Sequence, residues 1–360
     1  MFVYDAIIIG AGASGLMCAS KIKGRVLVLD KNEDIGAKIL ISGGGKCNFS
    51  NKNMGSSHYV SSTPERIDDI LNNWTVKEAI QLLNKYNVKY EEREKGKLFA
   101  FNSKDILNIL KSECEKNKVE FALGVDILSV SKDDDLFTID TGITKFISKT
   151  LVIATGGKSY PHIGASDFGL LLAKQFKFKL IQNQPALVGL KYPNNMKTFS
   201  SLSGISLPVN IKVNNKTFSD NLLFAHIGIT GPAVLNTSLY SNIGDVIEID
   251  FCPDKNLIKL PKRVYNFFMN YFDISQKSQL LSKICNLKYI NSGTFGYTKA
   301  EVMKGGVWLG YLNNYLGSDK IKGLYFIGEV LDITGELGGY NLHFAFASGI
   351  TASLGINQKV

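Results

Sequence analysis

The residues of this 360-residue chain with the most specific chemistry are three glycines near its beginning. Gly10, Gly12 and Gly15 have the spacing G-x-G-x-x-G and directly follow the apolar run 6–9. In that spacing the first glycine permits a tight turn, the second lets a pyrophosphate approach the backbone, and the third lets a helix pack on the strand. Asp30 ends the next apolar run, where a carboxylate accepts hydrogen bonds from a ribose. The spacing predicts a nucleotide-binding βαβ unit, and its expected ligand is an adenine dinucleotide.

Two further glycine-bearing segments lie near the end of the chain. Gly328-Glu329 follows a strand-like apolar run, and Gly338-Gly339 precedes a helical sequence. A nicotinamide-binding domain is usually one contiguous block, whereas a long cofactor that spans both ends of the chain explains both segments. We therefore expect FAD, with Glu329 at the ribityl hydroxyls and the start of the closing helix beside the N1–C2=O edge of the reduced flavin. Because no second G-x-G-x-x-G is present, NAD(P)H is expected to dock only transiently, as the reductant.

Composition limits the class of protein. With 45% apolar residues the chain can bury the cores of two or three structural units. No stretch approaches the ~18 uninterrupted apolar residues of a membrane span, and the first residues lack the basic segment of a signal peptide, so we expect a cytoplasmic protein without membrane contact. The five cysteines form no C-x-x-C pair, so neither a disulfide framework nor a metal site is expected. The net charge of +9 favours an anionic partner.

Short sequence patterns indicate the elements that position the glycine-rich segments. Thr75 and Glu78 have the spacing of a capping box, which predicts the start of a helix. Asn214-Asn215 predicts the turn of a β-hairpin, and residues 257–288 are expected to be helical. A small antiparallel sheet laid on the nucleotide domain is expected from three alternating stretches, 121–130, 136–140 and 145–148.

The domain organisation follows from the order of these patterns. Glycine-bearing strand ends occur before residue 184 and again near the end of the chain. We therefore expect an α/β fold in which residues 1–184 and 297–360 form one discontinuous FAD-binding domain. An inserted β-rich substrate domain is expected at 185–252, where prolines punctuate short strands, and an inserted helical unit at 253–296.

Four longer segments, taken in order, resemble one known family. They are ISGGGKCN (41–48), ATGGKSYPHIG (154–164), FAHIGITGP (224–232) and GLYFIGEVLDITGELGGYN (323–341). The chain resembles the BaiN/RdsA family of FAD-dependent oxidoreductases, also labelled aminoacetone-oxidase-like, nearly from end to end. The resemblance implies a glutathione-reductase-type, Rossmann-like FAD-binding domain with an inserted β-barrel and a small helical bundle. The chain departs from the family pattern at Lys46, where arginine is usual, and in the segment ASDFG after Gly164.

The expected site residues lie in these same segments. Two are candidates for the proton donor: Cys47 in the glycine-rich block and His226 in the insert. For each a structural role is the alternative, as a small buried thiol and as a hydrogen-bonding histidine. The expected FAD contacts are Gly10, Gly12, Ala13, Ser14, Gly15, Asp30, Lys31, Lys38, Gly44, Gly45, Asn48, Ile127, Ala154, Thr155, Gly156, Gly328, Glu329, Gly338, Gly339, Tyr340 and Asn341.

The resemblance leaves several reactions open. Family members are linked to reduction of a uracil C5=C6 bond in ribosomal RNA to dihydrouridine, reduction of conjugated C=C bonds in steroid-like acids, and oxidation of small amines such as aminoacetone. All three move a hydride through flavin N5. A non-catalytic, flavin-bearing RNA-binding assembly factor is a further alternative.

Charge favours RNA among these possibilities. Residues 253–290 contain seven basic and two acidic residues, with aromatic residues interleaved. A basic helical insert suits RNA phosphates, whereas a steroid or an amine supplies no reason for the charge. The alternative is a helical bundle whose aromatic residues form its own core and whose lysines are simply solvated. The preferred hypothesis is therefore NAD(P)H-dependent reduction of uridine in large-subunit rRNA. A small-molecule substrate is the alternative.

Overall fold

The computed structural model describes residues 2–358 and divides them into two units. One unit contains the chain up to Gln184 and from Lys304 onward, and the other is Pro185–Met303. This division differs from the expected boundary at 297 and from the expected split of the insert at 252. The reason is that the helices of the insert share one apolar core with its strands.

The elements are numbered in chain order. The helices are α1 (Ala13–Ala19), α2 (Ala37–Ile41), α3 (Ile67–Asn72), α4 (Val76–Lys85), α5 (Ser103–Lys116), α6 (Phe168–Gln175), α7 (Pro232–Tyr240), α8 (Lys262–Tyr271), α9 (Lys277–Ile284) and α10 (Tyr340–Asn357). The first ten strands are β1 (Val3–Ile9), β2 (Val26–Leu29), β3 (Asn48–Asn51), β4 (Tyr59–Val60), β5 (Tyr90–Arg93), β6 (Lys97–Ala100), β7 (Glu120–Ala122), β8 (Ser129–Asp133), β9 (Leu136–Asp140) and β10 (Lys145–Ile153). The others are β11 (Leu180–Ala186), β12 (Leu190–Lys191), β13 (Ser206–Val213), β14 (Lys216–Phe224), β15 (Gly228–Thr230), β16 (Val246–Asp250), β17 (Leu287–Ile290), β18 (Val302–Val307), β19 (Leu324–Phe326) and β20 (Thr334–Gly335).

The first unit is built on a seven-stranded sheet whose central strands run parallel. Its order is β7-β2-β1-β10-β9-β8, and β19 also pairs with β10. Parallel pairing joins β7 to β2, β2 to β1, β1 to β10 and β10 to β19. Ile9, Leu29 and Ile153 end their strands side by side in register. The turn after β1, the acid after β2 and the glycine pair after β10 therefore meet at one edge, where α/β sheets bind ligands.

The structure corrects two sequence predictions in this sheet. The stretch 145–148, expected in a separate antiparallel sheet, is continuous with the apolar run 151–153 in one strand. This strand pairs parallel with β1, and it pairs antiparallel with β9 in its first half and parallel with β19 in its second half. The strand predicted over 121–130 is also wrong, because Gly124 adopts a left-handed φ of 66° and ends the extended run. The meander β8-β9-β10 thus continues the main sheet instead of lying on it.

The first unit also contains two small antiparallel sheets that bear on the site. Strands β3, β6 and β5 form one, and the short strands β20 and β4 form the other. In the second sheet Thr334 pairs with Val60 and Gly335 pairs with Tyr59. This pairing joins the segment before the closing helix α10 to a segment near the beginning of the chain.

The second unit contains a six-stranded antiparallel sheet of order β12-β15-β14-β13-β16-β17. The sheet closes on itself, since Leu190 in β12 bridges to Thr294, beyond the end of β17. The backbone N–H of Lys191 also donates to the carbonyl of Gly293, at 2.9 Å. The segment after β17 therefore joins the two ends of the sheet, which gives it a barrel-like form.

Helices α8 and α9 pack into the core of this barrel. Val264, Phe268 and Ile284 are buried in one apolar cluster with barrel residues such as Phe224. The helix predicted over 257–288 is therefore only partly correct. It is divided between α8 and α9, where Asp273 adopts a left-handed φ of 50°, and it ends before the strand β17.

Two short-range predictions are confirmed. The Thr75 side chain accepts a hydrogen bond from the Glu78 backbone while the Glu78 carboxylate accepts from the Thr75 N–H at 2.7 Å, so the capping box at the start of α4 is complete. Val213 pairs with Lys216 across the predicted hairpin turn at Asn214-Asn215. Asn214 has the positive φ, 49°, that such a tight turn requires.

Within residues 2–358, no helix combines the length and the apolar run that a membrane crossing needs. The same part of the chain contains no group of three or more His, Cys, Asp or Glu side chains placed to hold a metal ion.

Candidate functional site

The opening turn has the geometry that each of its three glycines requires. Gly10 has a φ of 115°, and a Cβ there would lie 2.3 Å from the Ala154 carbonyl oxygen. A Cβ on Gly15 would lie 1.9 Å from the Gly10 carbonyl oxygen, which is a severe clash between α1 and β1. Gly12 differs, since nothing lies within 4 Å of its Cβ position. The first and third glycines are thus needed by the fold, while the second leaves open space for a ligand beside the backbone.

Asp30 lies where a ribose-binding acid is expected, at the end of β2. Its carboxylate accepts hydrogen bonds from the backbone N–H groups of Ala11, at 2.7 Å, and Asn32, at 2.8 Å. Its own carbonyl accepts from Val125 N–H at 3.0 Å, so the segment that carries Ile127 runs alongside. Together with the open side of Gly12, this arrangement fits the ADP half of FAD.

The glycine-rich block between α2 and β3 presents bare backbone. Gly43, Gly44 and Gly45 all have left-handed φ values, 56°, 66° and 85°, and nothing lies within 4 Å of the Cβ positions of the last two. Cys47, which follows, is fully buried, and burial raises the pKa of its thiol to about 12. A buried and protonated thiol suits core packing, so we do not assign Cys47 as the proton donor.

Strand β3 holds the glycine pair that precedes α10. The Asn51 side chain donates to the Gly338 carbonyl at 2.9 Å. In the amide orientation that satisfies both of its polar atoms, the Asn48 side chain accepts from the Gly339 N–H at 3.0 Å. Gly339 has a φ of 96°, and a Cβ there would lie 2.3 Å from the Ser50 carbonyl oxygen. The glycine-rich block and the closing helix are therefore joined directly, and Asn48 positions backbone in this structure.

The glycine after β19 meets the opening helix. Gly328 has a φ of 74°, and a Cβ there would lie 2.5 Å from the hydroxyl oxygen of Ser14 in α1. Its N–H donates to the Ser348 hydroxyl of α10 at 2.9 Å. The next residue, Glu329, forms an ion pair with Lys38 of α2 at 2.5 Å. Segments from both ends of the chain thus converge on one place within the first unit.

The glycine pair after β10 is adjacent to the opening turn. Ala154 N–H donates to the Ile9 carbonyl at 2.8 Å. Gly156 has a φ of 69°, with nothing within 4 Å of its Cβ position. The buried hydroxyl of Thr155 has no hydrogen-bond partner among the described residues. That hydroxyl lies against α6, 2.1 Å from the Cβ position of Gly169, so the feature here that leaves room for a cofactor is the open backbone at Gly156.

A histidine and a carboxylate that no sequence motif brings together lie beside the start of α10. His58 Nδ1 lies 2.9 Å from a carboxylate oxygen of Glu336, and its ring stacks on Tyr340 with centroids 4.5 Å apart. The Asn341 side chain both donates to and accepts from the Gly335 backbone, at 2.8 Å each, so it holds the turn before the helix. His58 and Glu336 are 278 residues apart, so spacing alone carries no signal for their contact.

His226 lies in the second unit, in the turn between β14 and β15. Its side chain is exposed, and the turn is closed by a hydrogen bond from Ala225 N–H to the Gly228 carbonyl at 2.8 Å. Whether it faces the flavin stays a prediction, and so do all of the expected FAD contacts, including those of Lys31 and Ile127.

His343, in the second turn of α10, is a structural residue. It is fully buried; Nδ1 lies 2.9 Å from the Ser50 hydroxyl and Nε2 lies 2.8 Å from the Trp74 carbonyl. Because a carbonyl only accepts, Nε2 carries the proton and Nδ1 accepts from Ser50. Burial lowers the pKa of His343 to about 4, so the ring is neutral at physiological pH.

The neutral state of His343 predicts a loss of stability in acid. The unfolded chain takes up a proton near the ordinary pKa of 6.5, whereas the folded chain takes it up only near pH 4. The free energy of unfolding is therefore expected to fall by about 3 kcal/mol as pH decreases from 6.5 to 4. Urea unfolding at several pH values measures it. In the His343→Gln variant the free energy of unfolding should depend less on pH over this interval, whereas the control His162→Gln should behave as the wild type. A fall as large in His343→Gln as in the wild type would contradict the assignment of a neutral, buried His343.

Comparison with known proteins shows which family this chain belongs to. The chain matches the family described as "HI0933-like protein Rossmann domain" over residues 4–355. It is 37% identical over 384 residues to the "Ribosomal RNA dihydrouridine synthase" of Escherichia coli (strain K12), covering 96% of each chain. It is 36% identical over 396 residues to the protein of the same name from Haemophilus influenzae, covering 99% of each chain.

A solved structure with a similar fold is the 3-ketosteroid-delta4-(5alpha)-dehydrogenase of Rhodococcus jostii RHA1. The TM-score is 0.52 at 12% identity, over 98% of this chain and 97% of that one. At this identity the likeness concerns the fold alone.

The fold and the family define the class of this protein, an FAD-dependent oxidoreductase with a Rossmann-like FAD-binding domain. The chain belongs to the HI0933-like family. The predicted fold class, enzyme class and resemblance to the BaiN/RdsA flavoproteins are confirmed.

Proposed function

We propose that this enzyme uses NAD(P)H to reduce an activated C=C bond, and that its substrate is a uridine in large-subunit ribosomal RNA, which becomes dihydrouridine. The observation that carries the proposal is the similarity to two relatives named ribosomal RNA dihydrouridine synthase. Both similarities, at 37% and 36% identity, cover almost the whole of each chain. The insert that is expected to meet the substrate is therefore included in the similarity.

The proposed cofactor is held by groups from three segments of the first unit. Asp30 and the open backbone at Gly12 bind the ADP half. Glu329, oriented by Lys38, lies at the ribityl chain, and the start of α10 at Tyr340 faces the pyrimidine edge of the ring. FAD supplies, when bound, the hydride transfer between NAD(P)H and the substrate carbon.

The basic residues of the insert support contact with RNA phosphates. Fewer of them are available for that contact than the sequence suggests, because some are already bonded within the insert. Lys255 and Lys259 form ion pairs with Asp250, at 2.9 Å, and Asp254, at 2.7 Å. The interleaved aromatics pack against the apolar core of the second unit, so they do not form a stacking surface for bases. Arg263 is exposed as well, but its guanidinium donates to the Ser201 carbonyl. The exposed lysines that remain for RNA are Lys262, Lys277, Lys283 and Lys288.

Replacing those four lysines with glutamine is expected to weaken RNA binding in a salt-dependent way. Each lost phosphate contact removes about 0.7 to 0.9 from the slope of log affinity against log salt, so the slope should become shallower by about 3. Filter binding of large-subunit rRNA at several salt concentrations measures it. The matched control is Lys255→Gln with Lys259→Gln, where the slope should change less per lysine. Equal slopes for the wild type and the fourfold variant would contradict RNA contact at this surface.

The proposed reaction is tested in an E. coli strain that lacks the 37%-identical relative. Expression of this chain is expected to restore dihydrouridine in the large-subunit rRNA, measured by mass spectrometry of digested RNA. Unchanged uridine, with the protein present and flavin bound, would overturn the substrate. Purified protein that binds the rRNA but whose flavin is not reduced by NAD(P)H would indicate an assembly factor. Peroxide formed with aminoacetone in the absence of NAD(P)H would indicate an amine oxidase.

A further inference from the structure

The pairing of β4 with β20 places His58 opposite Glu336. Thr334 pairs with Val60 and Gly335 with Tyr59, and the next position in this antiparallel register joins Glu336 to His58. The Glu336 N–H donates to the His58 carbonyl at 2.9 Å, and the side chains meet at 2.9 Å between Nδ1 and Oε2. Backbone and side-chain contacts therefore fix the same pair.

The contacts of His58 also fix the orientation of its ring. The ring stacks on Tyr340 with an angle of 20° between the planes, and the Tyr59 hydroxyl donates to the Tyr340 carbonyl at 2.9 Å. Since a carboxylate accepts, Nδ1 carries a proton and donates to Glu336. Nε2 has no hydrogen-bond partner among the described residues, and 32% of the side chain is exposed. A proton can thus reach Nε2 from solvent while Nδ1 stays bonded.

The other charged and titratable groups around His58 are held by hydrogen bonds or stay neutral, so His58 is the group best placed to exchange a proton with solvent. Glu336 faces it from the β20 side, and the phenols of Tyr59 and Tyr340 are raised in pKa, chiefly by burial, so they stay neutral. From α3, Asp68 is bound to the Ser56 backbone and hydroxyl at 2.9 Å and 2.7 Å. An imidazole beside a carboxylate is a common proton-exchanging unit in enzymes.

We propose that His58, oriented by Glu336, takes up a proton when the flavin at the start of α10 is reduced. The inference rests on the flavin site of the proposed function, but not on its substrate. Two electrons from the reductant enter the flavin together with one proton, and a second proton from solvent binds His58 Nε2. Negative charge on the reduced ring favours the imidazolium nearby, and by linkage the imidazolium favours reduction. Glu336 acts as a positioning residue.

The test is the reduction potential of the bound flavin as a function of pH, measured with dithionite and indicator dyes. This measurement needs neither NAD(P)H nor RNA. In the pH interval where the ring of His58 binds its proton only in the reduced protein, the wild type is expected to take up a further fraction of a proton, up to one, per two electrons relative to His58→Gln, which gives a steeper curve. Glu336→Gln should shift the steep interval to lower pH, because it removes the charge that stabilises the imidazolium. The control His162→Gln should follow the wild type. Parallel curves for the wild type and His58→Gln would overturn the proposal.

A second measurement uses only the wild-type protein. The chain has four histidines, so nuclear magnetic resonance can follow each ring through a pH titration in the oxidised and the reduced protein. The ring of His58 is expected to keep its proton to higher pH in the reduced protein than in the oxidised protein. Ring signals that change at the same pH in both states would overturn the proposal even if His58→Gln fails to fold. If the rRNA assay fails while the proton uptake is observed, only the substrate is overturned. A chain that binds no FAD overturns both proposals.

Discussion

Replacing Gly12 with alanine is expected to leave the protein folded while weakening its affinity for FAD by about 100-fold or more, equivalent to about 3 kcal/mol. The backbone of Gly12, with φ −86° and ψ −170°, is one that alanine adopts readily. Among residues 2–358, no atom outside the neighbouring residues lies within 4 Å of the added methyl group. The methyl group instead occupies the space through which a pyrophosphate approaches the backbone. Thermal unfolding without FAD and fluorescence titration with FAD separate the two effects.

Two other glycines serve as references for Gly12. Gly15→Ala is expected to destabilise the fold itself, because its Cβ would lie 1.9 Å from the Gly10 carbonyl oxygen. Gly55→Ala should change neither property, since its φ of 170° is ordinary extended backbone and nothing lies within 4 Å of its Cβ position. Wild-type FAD affinity in the Gly12→Ala variant would show that the pyrophosphate does not pass this turn.

Replacing Gly349 with alanine is expected to lower the free energy of unfolding by about 2 to 3 kcal/mol. Alanine normally stabilises a helix relative to glycine by about 1 kcal/mol, so the expected sign is opposite to intrinsic propensity. The reason is contact with α1, where the new Cβ would lie 2.6 Å from the Ser14 carbonyl and 3.1 Å from the Cys18 backbone nitrogen. Backbone atoms cannot give way as a flexible side chain can, so the two helices would have to separate.

Denaturant unfolding measures the effect of Gly349→Ala. The control is Leu354→Ala in the same helix, where the side chain is 42% exposed and a change within about 0.5 kcal/mol is expected. Because α1 follows the Gly12 turn directly, the Gly349→Ala variant should also bind FAD more weakly. A variant as stable as the wild type would mean that α10 does not pack closely on α1.

The elements nearest the nucleotide could be predicted because their residues are chosen by local geometry. The three glycines of the opening turn, the acid after β2 and the helix after Gly339 each require a specific backbone or a specific side chain at a short spacing. The capping box at Thr75 is local in the same sense. Features of this kind are determined by a few residues close together in the sequence, so they can be recognised without knowing the rest of the fold.

The features that were missed depend on contacts between distant parts of the chain. No short sequence pattern shows that β10 extends from the antiparallel meander into the central sheet. Its two halves are distinguished by their pairing, since the first half pairs with β9 and the second half pairs with β19. The strand β17 follows a helix without a break in composition and is defined by its pairing with β16. His58 and Glu336 meet only because β4 pairs with β20.

The central claim is that one FAD molecule is held by the opening turn and the start of the closing helix. It is tested most directly by titrating the purified chain with FAD while recording visible absorbance and flavin fluorescence. The purified protein is expected to be yellow and to bind one FAD per chain, with affinity reduced in Gly12→Ala and kept in Gly55→Ala. A colourless chain that leaves the absorbance and fluorescence of added FAD unchanged would contradict it.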